Sequence, residues 1–127
     1  MNSRFPPVAL PDHACAPALQ AFCLSLRGAW EDYPWGEVVY KVGSRMFATL
    51  SLGEAGLQMT LKATPDDADV LVQLPHVSRA AYVGRHGWVS LAVAGESSLA
   101  FARELIRASY ELVRANAGRS RSGSGRR

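Results

Sequence analysis

The sequence predicts an α+β domain in which an antiparallel β-sheet is covered on one face by an N-terminal and a C-terminal helix. Strand-like runs follow one another through short turns instead of alternating with helices, and long helical periodicity occurs near the two ends of the domain. A chain of 127 residues with 48% hydrophobic and 20% charged residues fits one domain with a single core. The apolar runs stay far below the roughly 20 residues that a membrane-spanning helix needs.

The first predicted helix covers residues 17–27. Leu19, Phe22, Cys23 and Leu26 recur at the i, i+3, i+4 and i+7 positions of an amphipathic helix, and Gly28 follows as its end. Residues 1–15 are rich in proline and lack periodicity, so they predict an extended N-terminal arm.

Three strands are predicted next, after a loop over residues 29–36. Residues 37–42 and 45–52 are rich in strand-forming residues, and Gly43-Ser44 between them indicates a two-residue type II′ turn. In the third strand Leu57, Met59 and Leu61 alternate with polar residues, which predicts one buried and one solvated face.

A short helix and a second strand pair precede the last helix. Thr64 as N-cap and Pro65 in the first turn predict a helix over 65–74 that Pro75 stops. Residues 77–83 are predicted to be extended, residues 84–87 to turn, and residues 88–93 to form a strand.

The last helix is predicted over residues 97–116, ending at Gly118. Its core-facing stripe is predicted from residues with helical spacing: Ala102, Leu105, Ile106, Ser109, Leu112 and Val113. The two end helices should pack side by side on the sheet and bury a common set of side chains: Phe22, Leu26, Leu105, Ile106 and Leu112.

The positive charge is concentrated at the C-terminus. The formal net charge is +3, but residues 119–127, RSRSGSGRR, contain four arginines, and removing them leaves ten basic and eleven acidic residues. The sequence therefore predicts a balanced domain over residues 16–118 and a disordered basic tail over 119–127. Such a tail attracts nucleic acid without reading its sequence.

The strand register suggests a candidate binding surface. If Gly43-Ser44 is a two-residue turn, Tyr40 lies opposite Phe47 and close to Arg45, and Lys62 of the third strand joins them. We expect this face to be open and the other face, with Met46, Ala48 and Leu50 among its residues, to be the covered core. Aromatic rings between cations can stack bases and hold phosphates. In the alternative interpretation the same residues are strand formers beneath a loop.

A second basic group comprises Arg79, Arg85 and His86, which bracket the predicted hairpin whose returning strand begins at Trp88. These arginines either contribute to binding or only increase solubility. Elsewhere the three histidines are dispersed and no cysteine, histidine or carboxylate spacing suggests a metal site, so we predict no catalytic residue, metal or cofactor. Cys15 and Cys23 are too far apart along a helix for a disulfide, and Cys23 on the apolar stripe is best interpreted as a core residue, with redox or metal chemistry as the alternative.

Several segments in one register resemble the MmcQ/YjbR family over about residues 17–115. These are LSLRGAWEDYPWG (24–36), VVYKVGSRMFATL (38–50), LKATPDDADVL (61–71), AAYVGRHGWVSLAV (80–93) and RELIRASYELV (103–113). The resemblance implies a CyaY/frataxin-like, double-wing α+β fold and a DNA-binding role.

These observations together predict a non-enzymatic, cytoplasmic, monomeric protein that binds DNA with modest affinity. The candidate contact residues are Tyr40, Arg45, Phe47, Lys62, Arg79, Arg85 and Trp88. The alternative is a module that binds a protein or a small ligand on the open sheet face and has no role with nucleic acid.

Overall fold

The sheet is antiparallel throughout and has six strands. The computed structural model describes residues 4–80 and 86–123. The strands are β1 (Ala29–Asp32), β2 (Val38–Val42), β3 (Arg45–Gly53), β4 (Gly56–Lys62), β5 (Val77–Arg79) and β6 (Trp88–Ala92). Their order across the sheet is β1-β2-β3-β4-β6-β5. The predicted α+β architecture is therefore confirmed.

The helices are α1 (Ala16–Ser25), α2 (Pro65–Leu71) and α3 (Leu99–Gly123), with 3₁₀ turns at Pro34–Gly36 and Glu96–Ser98. Residues of α1 and α3 share one core cluster with the inner face of the sheet, as predicted. Among the described residues, no helix combines the length and the apolar character needed to cross a membrane.

All three predicted helices differ from the structure at their ends: α1 ends at Ser25 and not at residue 27, α3 begins at Leu99 and not at residue 97, and two C-terminal ends differ further. The Thr64 side chain caps α2 by accepting a hydrogen bond from the Asp67 N–H at 3.1 Å, but α2 ends at Leu71 and not at residue 74. The last helix continues past Gly118 to Gly123, so residues 119–123 of the predicted disordered tail are helical. A glycine inside a helix costs about 1 kcal/mol, which weakens the helix without ending it. Residues 124–127 lie outside the described residues.

Strand β1 occupies part of the predicted loop 29–36. It pairs with β2 from Ala29 opposite Val42 to Asp32 opposite Val39, at the edge of the sheet. The four residues AWED carry two acids and no alternation of apolar and polar residues, so the pattern does not indicate a strand. Pairing with β2 overrides this weak local preference.

A β-bulge in β3 changes the face on which the hairpin residues lie. Val42 pairs with Arg45 and Lys41 with Met46, as the two-residue turn requires, but Tyr40 then pairs with Ala48. The pairing skips Phe47, which is the extra residue of the bulge. The register predicted from the turn is therefore correct for the first two pairs. From the third pair onward it is wrong by one residue.

Because of the bulge, Tyr40 and Phe47 face the helices. Both are 0% exposed and belong to the core, so the prediction that they lie on an open surface is wrong. Ala48 and Leu50 are buried beside them, as predicted for the covered face. The opposite face carries a row of polar residues in neighbouring strands, Thr49, Thr60, Ser90 and Ser78.

The buried stripe of α3 is narrower than predicted. Its buried residues are Ala102, Ile106, Ser109, Tyr110 and Val113. The prediction that Phe22, Leu26, Leu105 and Leu112 are buried is only partly correct, because all four are half-buried. Phe22, Leu26 and Leu105 pack against the core cluster. Tyr110 takes a buried place through its edge-to-face contact with Phe47, with ring centroids 5.4 Å apart.

Ser109 of α3 joins two strands at the bulge. Its hydroxyl donates to the Phe47 carbonyl at 2.5 Å and accepts from the Lys62 N–H at 2.9 Å. Ser109 is 0% exposed, so water cannot replace its hydroxyl as the partner of these two backbone groups. The bulge and the end of β4 are thus fixed to the helix by one side chain.

We expect Ser109→Ala to lower the free energy of unfolding by about 1–3 kcal/mol, because it leaves a buried carbonyl and a buried N–H unsatisfied. Urea denaturation measures the change. Ser78→Ala, at an exposed position of the edge strand β5, is the matched control and should have little effect. Equal stability of the two variants would show that the hydroxyl bridge contributes nothing.

Candidate functional site

Three of the predicted contact residues meet at one end of the sheet. Arg45 begins β3, Lys62 ends β4 and Trp88 begins β6, and in an antiparallel sheet these ends are neighbours. With Met46 and Val113 they line a cavity of about 290 Å³, which we call the cationic cavity. The structure therefore brings together residues that are 43 positions apart in the sequence, from Arg45 to Trp88.

Gly87 fixes the position of Trp88 next to Lys62. Its φ of +93° lies in the left-handed region, and a Cβ atom on it would lie 2.1 Å from the Ala63 carbonyl oxygen. The Gly87 carbonyl accepts a hydrogen bond from the Ala63 N–H at 2.9 Å, and the ladder then pairs Lys62 with Trp88. A side chain at position 87 would push the two strands apart, because only glycine tolerates this approach.

The electrostatics of the cationic cavity favour an anion. Arg45 is exposed and Lys62 is half-buried, and the lining residues include no acid. Among the described residues the Lys62 ammonium group makes no ion pair. A half-buried cation attracts a phosphate more strongly than a fully solvated one, since less water screens it. The half-buried indole of Trp88 adds an aromatic surface to the same cavity.

The other predicted contact residues lie elsewhere. Tyr40 and Phe47 are in the core, as described above. Arg79 belongs to β5 and its guanidinium forms an ion pair with the Asp69 carboxylate of α2, so an acidic partner offsets its charge. Arg85 falls outside the described residues.

Met46 and Val113 line the cavity without having been predicted as site residues. The sequence placed both in the core, Met46 through strand alternation and Val113 through helical spacing. Their position at the cavity depends on where α3 crosses the sheet ends, which residue spacing within a single element does not determine.

A separate polar cluster surrounds Glu31 between α1 and the sheet. The Glu31 carboxylate accepts hydrogen bonds from Gln20 Nε2 at 3.0 Å and from the Tyr33 hydroxyl at 2.5 Å. The bond with Glu31 and, to a lesser degree, burial raise the pKa of Tyr33 to about 12. The pKa of Tyr40 is also raised, mainly by burial and then by the nearby Glu31 carboxylate. The buried Tyr40 hydroxyl makes no hydrogen bond of normal length and angle with the described residues.

The cysteines behave as core residues. Both are buried and free, and Cys23 is 0% exposed. Burial and, secondarily, the Glu31 carboxylate raise the pKa of the Cys23 thiol to about 12, so the reactive thiolate is scarce near neutral pH. In the described part of the chain, no three histidine, cysteine or carboxylate side chains cluster in a way suited to a metal ion.

Comparison with known proteins finds solved structures of similar fold and a matching sequence family. The chain is similar to the crystal structure of the Deinococcus radiodurans protein DR2400, which has a DUF419 domain, with a TM-score of 0.68, 27% sequence identity and 76% of each chain covered. It also resembles in fold a Pseudomonas syringae protein, with a TM-score of 0.61 and 17% identity over 76% of this chain and 97% of that one. No curated protein matches the chain. The sequence model of the YjbR family matches residues 24–112, which contain the sheet and most of α3, and the chain therefore belongs to the YjbR family.

Proposed function

We propose that this protein is a non-enzymatic DNA-binding protein of modest, sequence-independent affinity, and that it acts in the cytoplasm. The observation that supports the proposal is the convergence of Arg45, Lys62 and Trp88 on one cavity whose lining residues include no acid. Cationic side chains in one cavity can hold phosphates, and an indole ring can stack on a base.

The sequence of α3 carries further arginines beyond the cavity. Val113 lines the cationic cavity, and α3 continues from it to Gly123, a stretch whose sequence includes Arg114, Arg119 and Arg121. At 1.5 Å per residue, Arg121 lies about 12 Å along the helix from Val113. The helix that lines the cavity therefore carries further positive charge in its sequence, which favours a polyanion such as DNA.

Modest affinity follows from the charge distribution. Without residues 119–127 the chain has ten basic and eleven acidic residues, and a dedicated DNA-binding domain commonly carries a strongly basic face. Two cations can contact phosphates and one aromatic ring can stack on the flat face of a base. None of these contacts reads the hydrogen-bonding edge of a base, so no sequence preference is expected.

Reversing both charges of the cavity tests the proposal. We expect Arg45→Glu with Lys62→Glu to weaken binding of the full-length chain to labelled single-stranded DNA by about tenfold or more at low salt. The slope of log affinity against log salt should fall by roughly 1.4, for two lost phosphate contacts at about 0.7 each on a single strand. Fluorescence anisotropy measures both quantities.

The matched control is Arg103→Glu with Arg107→Glu, which changes the net charge equally at α3 arginines that lie over the Phe22 ring and away from the cavity. This control should bind DNA clearly better than the cavity variant, with circular dichroism showing both to be folded. Equal losses in the two variants would mean that only net charge matters. If neither changes binding, the DNA-binding proposal for the domain fails and the protein-binding or ligand-binding alternative replaces it.

A further inference from the structure

A second concave surface lies between α2 and α3. It has a volume of about 230 Å³, and its floor is formed by Leu61 of β4 and Val89 of β6. Val70 and Leu71 of α2 form one wall, and the α3 residues Leu105, Ala108 and Leu112 form the other. We call this surface the α2–α3 groove.

The groove explains why the apolar stripe of α3 is wider than its buried part. Leu105 and Leu112 satisfy the helical spacing of core residues but are only half-buried, and Ala108 between them is exposed. The short helix α2 ends at Leu71 and does not cover these residues. On the opposite wall Val70 is 68% exposed, so apolar side chains face solvent on both sides of the groove.

Lys62 gives the groove a charged group. Lys62 lines both the α2–α3 groove and the cationic cavity, where Arg45 is the second cation. Asp67 also lines the groove, but it is exposed and lies in the first turn of α2, where the helix N-terminus already stabilises its carboxylate. The half-buried Lys62 ammonium, with no ion-pair partner among the described residues, is therefore the group available to an anionic ligand.

We propose that the α2–α3 groove binds a small organic anion whose flat apolar body lies between the two helices and whose carboxylate or sulfonate group contacts Lys62. Ligand sites are typically apolar with a few polar groups that fix orientation, and the groove has this composition. Its volume is below the range of about 300–1,000 Å³ typical of drug-sized ligands, which limits the body to one or two rings. This site is distinct from the proposed DNA contact, with which it shares only Lys62.

Two fluorescent probes separate the apolar from the anionic contribution. Anilinonaphthalene sulfonate carries the anionic group, and phenylnaphthylamine has the same rings without it. We expect the sulfonate to bind the full-length protein about tenfold more tightly than the neutral compound, and Lys62→Met to abolish this preference. The sulfonate should also raise the melting temperature, because a ligand of the folded state stabilises it.

The second part of the test fills the groove with a larger side chain. Ala108→Phe should abolish binding of both probes, whereas Ala100→Phe, at an exposed position of α3 that does not line the groove, should leave it unchanged. The proposal is overturned if both phenylalanine variants bind alike, if Lys62→Met retains the preference for the sulfonate, or if the sulfonate fluoresces without raising the melting temperature. The last result would indicate binding to partly unfolded protein. DNA binding by Ala108→Phe is measured separately, so failure of this site leaves the DNA-binding proposal standing.

Discussion

Replacing Phe47 with alanine is expected to lower the free energy of unfolding by about 3–5 kcal/mol, the usual cost of removing a buried aromatic ring. The ring is 0% exposed and contacts Tyr110 edge-to-face, and its backbone carbonyl is held by Ser109. The substitution leaves a cavity at the point where α3 crosses the bulge. Because the bulged strand is fixed on both sides, we expect little collapse into that cavity, and hence a cost toward the upper end of this range.

The same substitution distinguishes a core residue from a binding residue. Phe47→Ala should leave the affinity for DNA per folded molecule unchanged, since no part of the ring reaches solvent. Urea denaturation gives the stability, and anisotropy at a temperature where the variant is folded gives the affinity. Leu52→Ala is the control on the same strand, because Leu52 is 52% exposed and should change the stability little. A loss of affinity in folded Phe47→Ala without loss of stability would contradict the bulged register.

The element types were predictable because each has a local physical cause. The Thr64 cap predicted the start of α2, the Gly43-Ser44 turn predicted the first two pairs of the hairpin, and alternation in β4 predicted its buried face. These features depend on neighbouring residues or on residues one turn apart. Sequence spacing reports such relations directly.

The face of the hairpin was not predictable from the same pattern. A bulge adds one residue, and a shift of one residue exchanges the faces of a strand. Phe47 and Ala48 are consecutive and both buried, which breaks the period of two, but the pattern does not show where the break occurs. The Ser109 hydroxyl that satisfies the bulge lies 62 residues away in sequence, and a serine in a helical stripe gives no sign of such a role.

The candidate site was predictable only in part for a related reason. Arg45, Lys62 and Trp88 were identified as residue types that suit nucleic acid, whereas their convergence depends on the strand order β3-β4-β6. The segment between β4 and β6 includes α2 and the edge strand β5, so β6 returns to pair with β4 from a distance. Pairing between strands far apart in the chain produces no periodic pattern in a single sequence, so it could not be predicted from residue spacing.

Removing residues 119–127 is expected to have the largest effect on the salt dependence of DNA binding, because those residues contain four arginines and the remaining chain has one more acid than base. Truncation after Gly118 should lower the slope of log affinity against log salt by up to about four phosphate contacts, each contributing roughly 0.7–0.9. Residues 119–123 belong to α3, so Arg119 and Arg121 lie in the same helix as Val113, which lines the cationic cavity.

The control keeps the chain length and the positive charge. Replacing Arg119, Arg121, Arg126 and Arg127 with lysine should preserve the salt slope, and replacing them with glutamine should reproduce the truncation, because a basic segment attracts phosphates mainly through its charge. Anisotropy titrations with one labelled duplex over a range of salt concentrations compare the variants. An unchanged slope in the truncated chain would assign the phosphate contacts to the folded domain, where Arg45 and Lys62 are the cations of the cavity. A slope that vanishes on truncation would assign them to the C-terminal arginines alone, and charge reversal in the cavity should then have no further effect.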